Sequence, residues 1–196
     1  MRGLPRAGLR RTAAAAAVAT FALAASASGA VIGQRDLSQD DGALTCLFGD
    51  CTLAFTKVPD GNAAAPFSGR IVSWKVSVAT PHDSFTNTGP LRLQVLKRTV
   101  NKPGLADDKF AAVRQTDEVV TVPGAINTFS ADLKIRKGQF IGLASNDTTE
   151  IREADLAKTT LLHWLDALVP GDPAESPFST DTGRLVLFNA RLAKSG

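Results

Sequence analysis

Acid–base chemistry in this chain would depend on its two histidines, His82 and His163. His163 and Asp166 lie three residues apart, so local structure could bring the imidazole and the carboxylate together as a base and its orienting group. Asp83 and Ser84 follow His82 directly, but neighbouring side chains of an extended segment point to opposite sides, which excludes a catalytic triad there. A histidine among leucines is usually structural. We therefore predict a non-catalytic protein, with a secreted hydrolase that uses a loop-borne His163/Asp166 site as the alternative.

Exposed aromatic rings can stack on sugar faces, and carboxylates and amides can bond sugar hydroxyl groups. The chain contains two tryptophans, Trp74 and Trp164, and no tyrosine. Trp74 falls on the apolar face of an alternating strand, so we predict that it lies in the core. Trp164 is the remaining candidate for a stacking ring. We therefore predict a ligand-binding site formed by Trp164, His163 and Asp166.

The two cysteines, Cys46 and Cys51, are separated by four residues that include the turn formers Gly49 and Asp50. A redox pair would more typically have the spacing C-x-x-C. We predict a disulfide that clips this turn and stabilises the fold by roughly 2 kcal/mol on the chain-entropy model. A pair of free thiols is the next alternative.

We predict no metal ion and no cofactor. Structural zinc needs about four ligands, whereas the two cysteines and two histidines are far apart in sequence. The pairs Asp40–Asp41 and Asp107–Asp108 could contribute oxygen ligands to calcium, but the D-x-D-x-D-G loop pattern is missing. The chain also lacks the G-x-S-x-G, H-E-x-x-H and glycine-rich phosphate-loop motifs.

The first thirty residues have the order of a secretory signal peptide. Four arginines precede a charge-free apolar run over 12–25, and small residues follow it up to Ala27 and Ala30. The run has about 14 residues, whereas a membrane-spanning helix needs roughly 20. We predict that residues 1–30 are a cleaved signal peptide, that the mature protein has no membrane span, and that it is secreted.

Removal of this segment changes the charge balance. The whole chain has 22 basic and 19 acidic residues, and four of the basic ones but none of the acidic ones lie in the first thirty. The mature chain therefore has 18 basic against 19 acidic residues, which argues against a nucleic-acid partner. A basic cluster at 134–137 is interpreted as strand and turn residues that face water.

Period-two alternation of apolar and polar residues recurs along the chain and predicts half-buried strands. Gly- and Pro-containing turn signals separate the alternating runs. The predicted strands cover 70–78, 91–98, 118–122, 127–133, 140–145 and 184–192. Many short strands with such punctuation predict an all-β protein, a single antiparallel β-sandwich over 44–193.

Two segments outside these strands are harder to assign. Residues 31–43 are polar and contain glycine, and we predict a flexible lead-in there. Residues 150–169 are rich in Ala, Leu, Glu and Lys and lack Gly, and for them we predict a helical turn over 150–157 followed by a strand over 159–165.

Several strand phrases resemble those of secreted bacterial β-sandwich proteins whose function is not established. The phrases are APFSGRIVSWKV, GPLRLQVLKR, GAINTFSADLKIRKGQFIGL, LLHWLDAL and RLVLFNARL, and the resemblance covers residues 44–192. The GAINTFSADLKIRKGQFIGL hairpin is also similar to jelly-roll modules that bind sugars or proteins. The resemblance implies a jelly-roll-like architecture, and it implies no activity.

These observations predict a secreted extracellular domain with a binding or structural role. A carbohydrate, such as an extracellular polysaccharide, or another cell-envelope ligand is favoured over a protein at the cell surface. A protein–protein interaction module and the hydrolase above are the alternatives.

Overall fold

The computed structural model describes residues 29–46, 49–82, 86–100 and 108–194. The predicted signal peptide therefore lies outside the described residues, apart from Gly29 and Ala30. The described residues form eleven strands and no helix, so none of them forms a helix that could cross a membrane. The strands are β1 (Ala30–Gly33), β2 (Gly42–Leu44), β3 (Cys51–Lys57), β4 (Gly69–Ser77), β5 (Arg92–Val100), β6 (Asp108–Gln115), β7 (Ile126–Ile135), β8 (Phe140–Ser145), β9 (Ile151–Trp164), β10 (Ser179–Val186) and β11 (Phe188–Lys194).

The strands form two antiparallel sheets that pack face to face, which confirms the predicted all-β sandwich. The smaller sheet has the order β1-β11-β4-β7, and the larger has the order β10-β9-β3-β8-β5-β6, with β2 paired to β9. Without β2, β9 and β10, the two orders are those of an eight-stranded jelly roll. Strands β9 and β10 extend the larger sheet beyond β3. On the opposite side, β6 and β7 are the last strands of their sheets.

The main core fills the space between the two sheets. Alternate residues of the strands point into it, and Trp74, Phe55 and Phe188 are among its fully buried side chains. The Trp74 ring packs 4.7 Å from the ring of Phe129, measured between centroids. The prediction that Trp74 belongs to the core is confirmed.

A second apolar cluster lies on the other face of the larger sheet, and we call it the outer core. It contains Ala54, Leu96, Phe110, Ala112, Phe140, Leu162, Trp164 and Leu168. Residues 165–178, which we call the cover segment, close over it. Backbone hydrogen bonds of 2.8 Å join Phe110 and Glu175 in both directions. The outer face of the larger sheet is therefore buried rather than exposed to solvent. This burial explains why the segment TTLLHWL, residues 159–165, has apolar side chains on both faces of the sheet.

The cover segment is tied to the sheet by a buried polar network. The Leu168 amide donates to the Thr52 hydroxyl at 2.9 Å, and the Gln94 amide group donates to the Leu168 carbonyl at 2.6 Å. The Thr52 hydroxyl in turn donates to the Gln94 amide oxygen at 3.1 Å. The polar atoms of the Thr52 and Gln94 side chains thus all have hydrogen-bond partners. Burying these two side chains therefore has little desolvation cost.

The predicted disulfide between Cys46 and Cys51 is confirmed. Its Cα atoms are 5.5 Å apart, both cysteines are buried, and Cys51 begins β3.

The predicted flexible lead-in over 31–43 is wrong, because this segment contributes to both sheets. Strand β1 pairs with β11, from Ala30 opposite Leu192 to Gly33 opposite Asn189. Strand β2 pairs with β9. Each strand has only three or four residues, so its alternation is too brief to be recognised, although Ile32 of β1 is fully buried in the main core.

Two other local predictions are also wrong. The predicted helical turn over 150–157 is absent, because residues 151–157 form the first half of β9, where β2 and β10 pair with its two edges. Residues 118–122 form no strand, and Val120 and Val122 point into solvent. Tertiary pairing outweighs helix propensity in the first case, and in the second the pairing is limited to a single bridge between Val119 and Leu91.

Candidate functional site

The three residues of the predicted ligand site do not form a common surface. His163 and Trp164 are consecutive in β9, so their side chains point to opposite faces of the larger sheet. Trp164 belongs to the outer core. Asp166 lies in the exposed bend that follows β9.

The predicted stacking role of Trp164 conflicts with its position. Its side chain is only 2% exposed beneath the cover segment. The indole Nε1 donates to the Glu175 carbonyl at 3.3 Å, and the ring meets Phe110 edge-on with centroids 5.5 Å apart. A sugar could reach this ring only if the cover segment moved away. Trp164 is therefore a packing residue in this structure.

The His163 side chain does not form the predicted catalytic pair. It is 7% exposed, and its Nε2 atom is buried without a hydrogen-bond partner. Among the described residues no hydrogen bond or ion pair joins it to Asp166. Burial lowers the pKa of His163, while the Asp181 carboxylate on neighbouring β10 acts in the opposite direction. The imidazole is thus kept neutral, but no approach to a substrate is open.

His82 instead contacts a buried carboxylate. Its Nε2 atom lies 2.9 Å from Oε2 of Glu150, which is 10% exposed. The Asn87 side chain accepts a hydrogen bond from the Glu150 amide at 2.8 Å and donates to the Ala79 carbonyl at 3.3 Å. Asn87 itself has a φ of +57°, a conformation that asparagine adopts more readily than most residues. These contacts connect the backbones of three loops, so we interpret the cluster as a loop support.

A larger opening lies along the edge where β6 and β7 end the two sheets, and we call it the edge cleft. Its volume is about 680 Å³. The polar side chains that line it are Gln115, Thr116, Asp117, Ser130 and Asp132. The hydrogen bond from the Arg70 guanidinium lowers the pKa of Asp132 and keeps this carboxylate ionised. The edge cleft therefore presents amide, hydroxyl and carboxylate groups to solvent.

A second opening lies beside the edge cleft and is lined by β5, β6 and the β7–β8 turn, and we call it the basic groove. Its volume is about 470 Å³, and its lining contains five cationic side chains and no acidic one. They are Lys97 and Arg98 of β5, Arg114 of β6, and Arg136 and Lys137 of the β7–β8 turn. Arg114 and Gln115 are consecutive in β6, so the two openings lie next to each other at this strand, with the two side chains on opposite faces of the larger sheet.

One of the five cations already has a partner. Arg98 pairs with Asp108, which is completely buried. The other four, Lys97, Arg114, Arg136 and Lys137, form no ion pair with any described residue. The groove therefore holds four positive charges that an anionic ligand could neutralise.

Sequence reasoning missed both openings for a physical reason. The pairs Lys97–Arg98 and Arg136–Lys137 are visible as basic clusters, but a cluster of this length by itself indicates only residues that face water. Their convergence depends on the pairing of β5 with β8, which brings Leu96 opposite Phe140 at the end of the β7–β8 turn. That register is a long-range property that local alternation does not contain.

No group of three or more potential metal ligands occurs among the described residues. No protein-family model, no curated protein and no solved structure matches this chain.

Proposed function

We propose that this protein is a secreted, non-catalytic binding module that takes a polysaccharide in the edge cleft. The signal-peptide pattern and the disulfide support secretion, because disulfides persist in oxidising compartments. The burial of His163, with no hydrogen bond or ion pair to Asp166 among the described residues, favours binding over hydrolysis.

The polar lining of the edge cleft is the observation that carries this proposal. Gln115 and Asp117 stand on the β6 side, and Ser130 and Asp132 stand on the β7 side. Amides, hydroxyls and carboxylates are the groups that donate to and accept from sugar hydroxyls.

The test is a glycan array and a polysaccharide pull-down with the full chain, exported into an oxidising compartment. Ser130→Trp places a bulky ring in the edge cleft, and we expect it to abolish binding. Thr128→Trp is the matched control, because Thr128 is also exposed on β7 and projects from the same face, but does not line the cleft. Binding that survives Ser130→Trp would place the ligand elsewhere, and binding to no glycan would refute the proposal.

A further inference from the structure

We propose that the polysaccharide is anionic, and that its carboxylate or phosphate groups bind in the basic groove. This inference rests on the proposed function and specifies its ligand class. Lys97, Arg114, Arg136 and Lys137 would hold the anionic groups, while the edge cleft would hold the hydroxyls of the adjoining sugars.

The assembly of the basic groove from three separate segments supports a ligand role. One cation comes from β5, one from β6, and two from the β7–β8 turn. The mature chain has no basic excess overall, so this grouping departs locally from the average composition. Four like charges around one opening repel one another, and an anionic ligand would relieve that repulsion.

The side-chain chemistry fits carboxylates and phosphates. Arg114 and Arg136 carry planar guanidinium groups, which can bond two oxygens of one carboxylate or phosphate at once. Lys97 and Lys137 add compact charges that bind without a fixed geometry. Arg98 lines the groove, but its charge is already paired with Asp108, so we do not count it among the ligand-binding cations.

The position of the groove favours a polymer over a small anion. The edge cleft and the basic groove are neighbours on both sheets: Arg114 precedes Gln115 on one side, and Arg136 follows Leu133 by three residues on the other. A chain lying along the sandwich edge would therefore meet hydroxyl-binding groups and then cations.

Neither nucleic-acid binding nor protection of a sheet edge accounts for the groove as well. A single-stranded nucleic acid would need aromatic side chains for base stacking, and none lines either opening. Charged residues also protect sheet edges from aggregation, but of the four free cations only Arg114 lies on the edge strand β6.

The test compares polygalacturonate with its fully methyl-esterified form, which has the same backbone without the charge. We expect the full chain to bind the charged polymer at least tenfold more tightly. If four contacts form, affinity should fall roughly 50-fold between 50 and 200 mM salt, by analogy with single-stranded polyanions. A glycerol-phosphate polymer in parallel distinguishes phosphate from carboxylate as the preferred anion.

The triple variant Arg114→Gln/Arg136→Gln/Lys137→Gln should lose tenfold or more in affinity for the anionic polymer. The matched control is Arg35→Gln/Lys75→Gln/Arg191→Gln, which removes the same charge around a pocket on the smaller sheet. We expect this control to bind within two- to threefold of wild type.

Four outcomes would overturn the inference. If both triple variants lose affinity equally, or if single-stranded DNA binds as tightly as polygalacturonate, the attraction is a general charge effect. If neutral glycans bind, the anionic ones bind no better, and Ser130→Trp abolishes that binding, then the proposed function stands and the anionic ligand is refuted. If no glycan of either kind binds, both proposals fail.

Discussion

The burial of His163 makes stability depend on pH. Its pKa in the folded protein is lowered, whereas in the unfolded chain it is about 6.5. The unfolded state therefore binds the proton more readily, so the stabilising contribution of neutral His163 is fully present above about pH 6.5 and is lost as the pH falls. One proton limits the slope to about 1.4 kcal/mol per pH unit.

The measurement is the difference in unfolding free energy between wild type and His163→Leu, by urea denaturation from pH 5 to pH 8. We expect this difference to shift in favour of the variant as the pH falls below 6.5. The subtraction removes every pH-dependent contribution that the two proteins share. A difference that shifts towards wild type at low pH would mean that Asp181 outweighs burial.

Trp164→Ala should reduce stability rather than ligand recognition. The fully packed ring fills the outer core, and removing such a ring typically costs about 3–5 kcal/mol. Trp164→Phe should cost clearly less because most of the contacts remain. Urea denaturation gives the stability, and binding measured where both variants are folded gives the recognition. Loss of binding in a folded Trp164→Ala protein would return this residue to the ligand site.

At the scale of elements, β1 is an integral strand and not a loose lead-in. Gly33 ends it with a φ of +99°, and a Cβ atom there would lie 2.6 Å from the Phe188 carbonyl oxygen. Gly33→Ala should therefore combine backbone strain, about 1–3 kcal/mol, with a clash against β11. Gly171 has a φ of +104° and open space around it. Gly171→Ala is thus a control for strain alone.

The measurement is the thermal unfolding of both glycine variants. We expect Gly33→Ala to lower the melting temperature by more than Gly171→Ala. Equal effects would indicate that β1 does not pack against β11 in solution.

At the scale of the whole molecule, the two cores should unfold together. Consecutive residues of one strand serve both: Leu53 faces the main core and Ala54 the outer core, and the same holds for Leu161 and Leu162. Opening either core would therefore disturb the larger sheet that they share, and we expect one cooperative transition.

The two tryptophans report on one core each. Fluorescence of Trp164→Phe follows Trp74 in the main core, and fluorescence of Trp74→Phe follows Trp164 in the outer core. Within each variant, the fluorescence midpoint in urea should coincide with the midpoint from far-ultraviolet circular dichroism. An earlier fluorescence transition in the Trp74→Phe protein would show that the cover segment unfolds separately.

Local pattern is sufficient to predict the sandwich, the buried Trp74 and the disulfide, because each depends on neighbours in sequence. It fails where distant segments meet. Residues 161–164 have apolar side chains on both faces of the strand, but this pattern does not reveal whether a loop covers the face that carries Trp164. From the pattern alone, Trp164 therefore remains a candidate for an exposed ring. The edge cleft and the basic groove depend on which strands end each sheet, and only the pairing order determines that.

The pairing of β1 with β11 also determines how the protein can be attached to a support. Ala30 lies opposite Leu192, so both ends of the sandwich leave the molecule at one place. In the smaller sheet, β1 is three inter-strand spacings from β7, a distance of roughly 14 Å. A short tether at either end, such as a tag on a biosensor chip, would hold the protein while the β6–β7 side faces the solution.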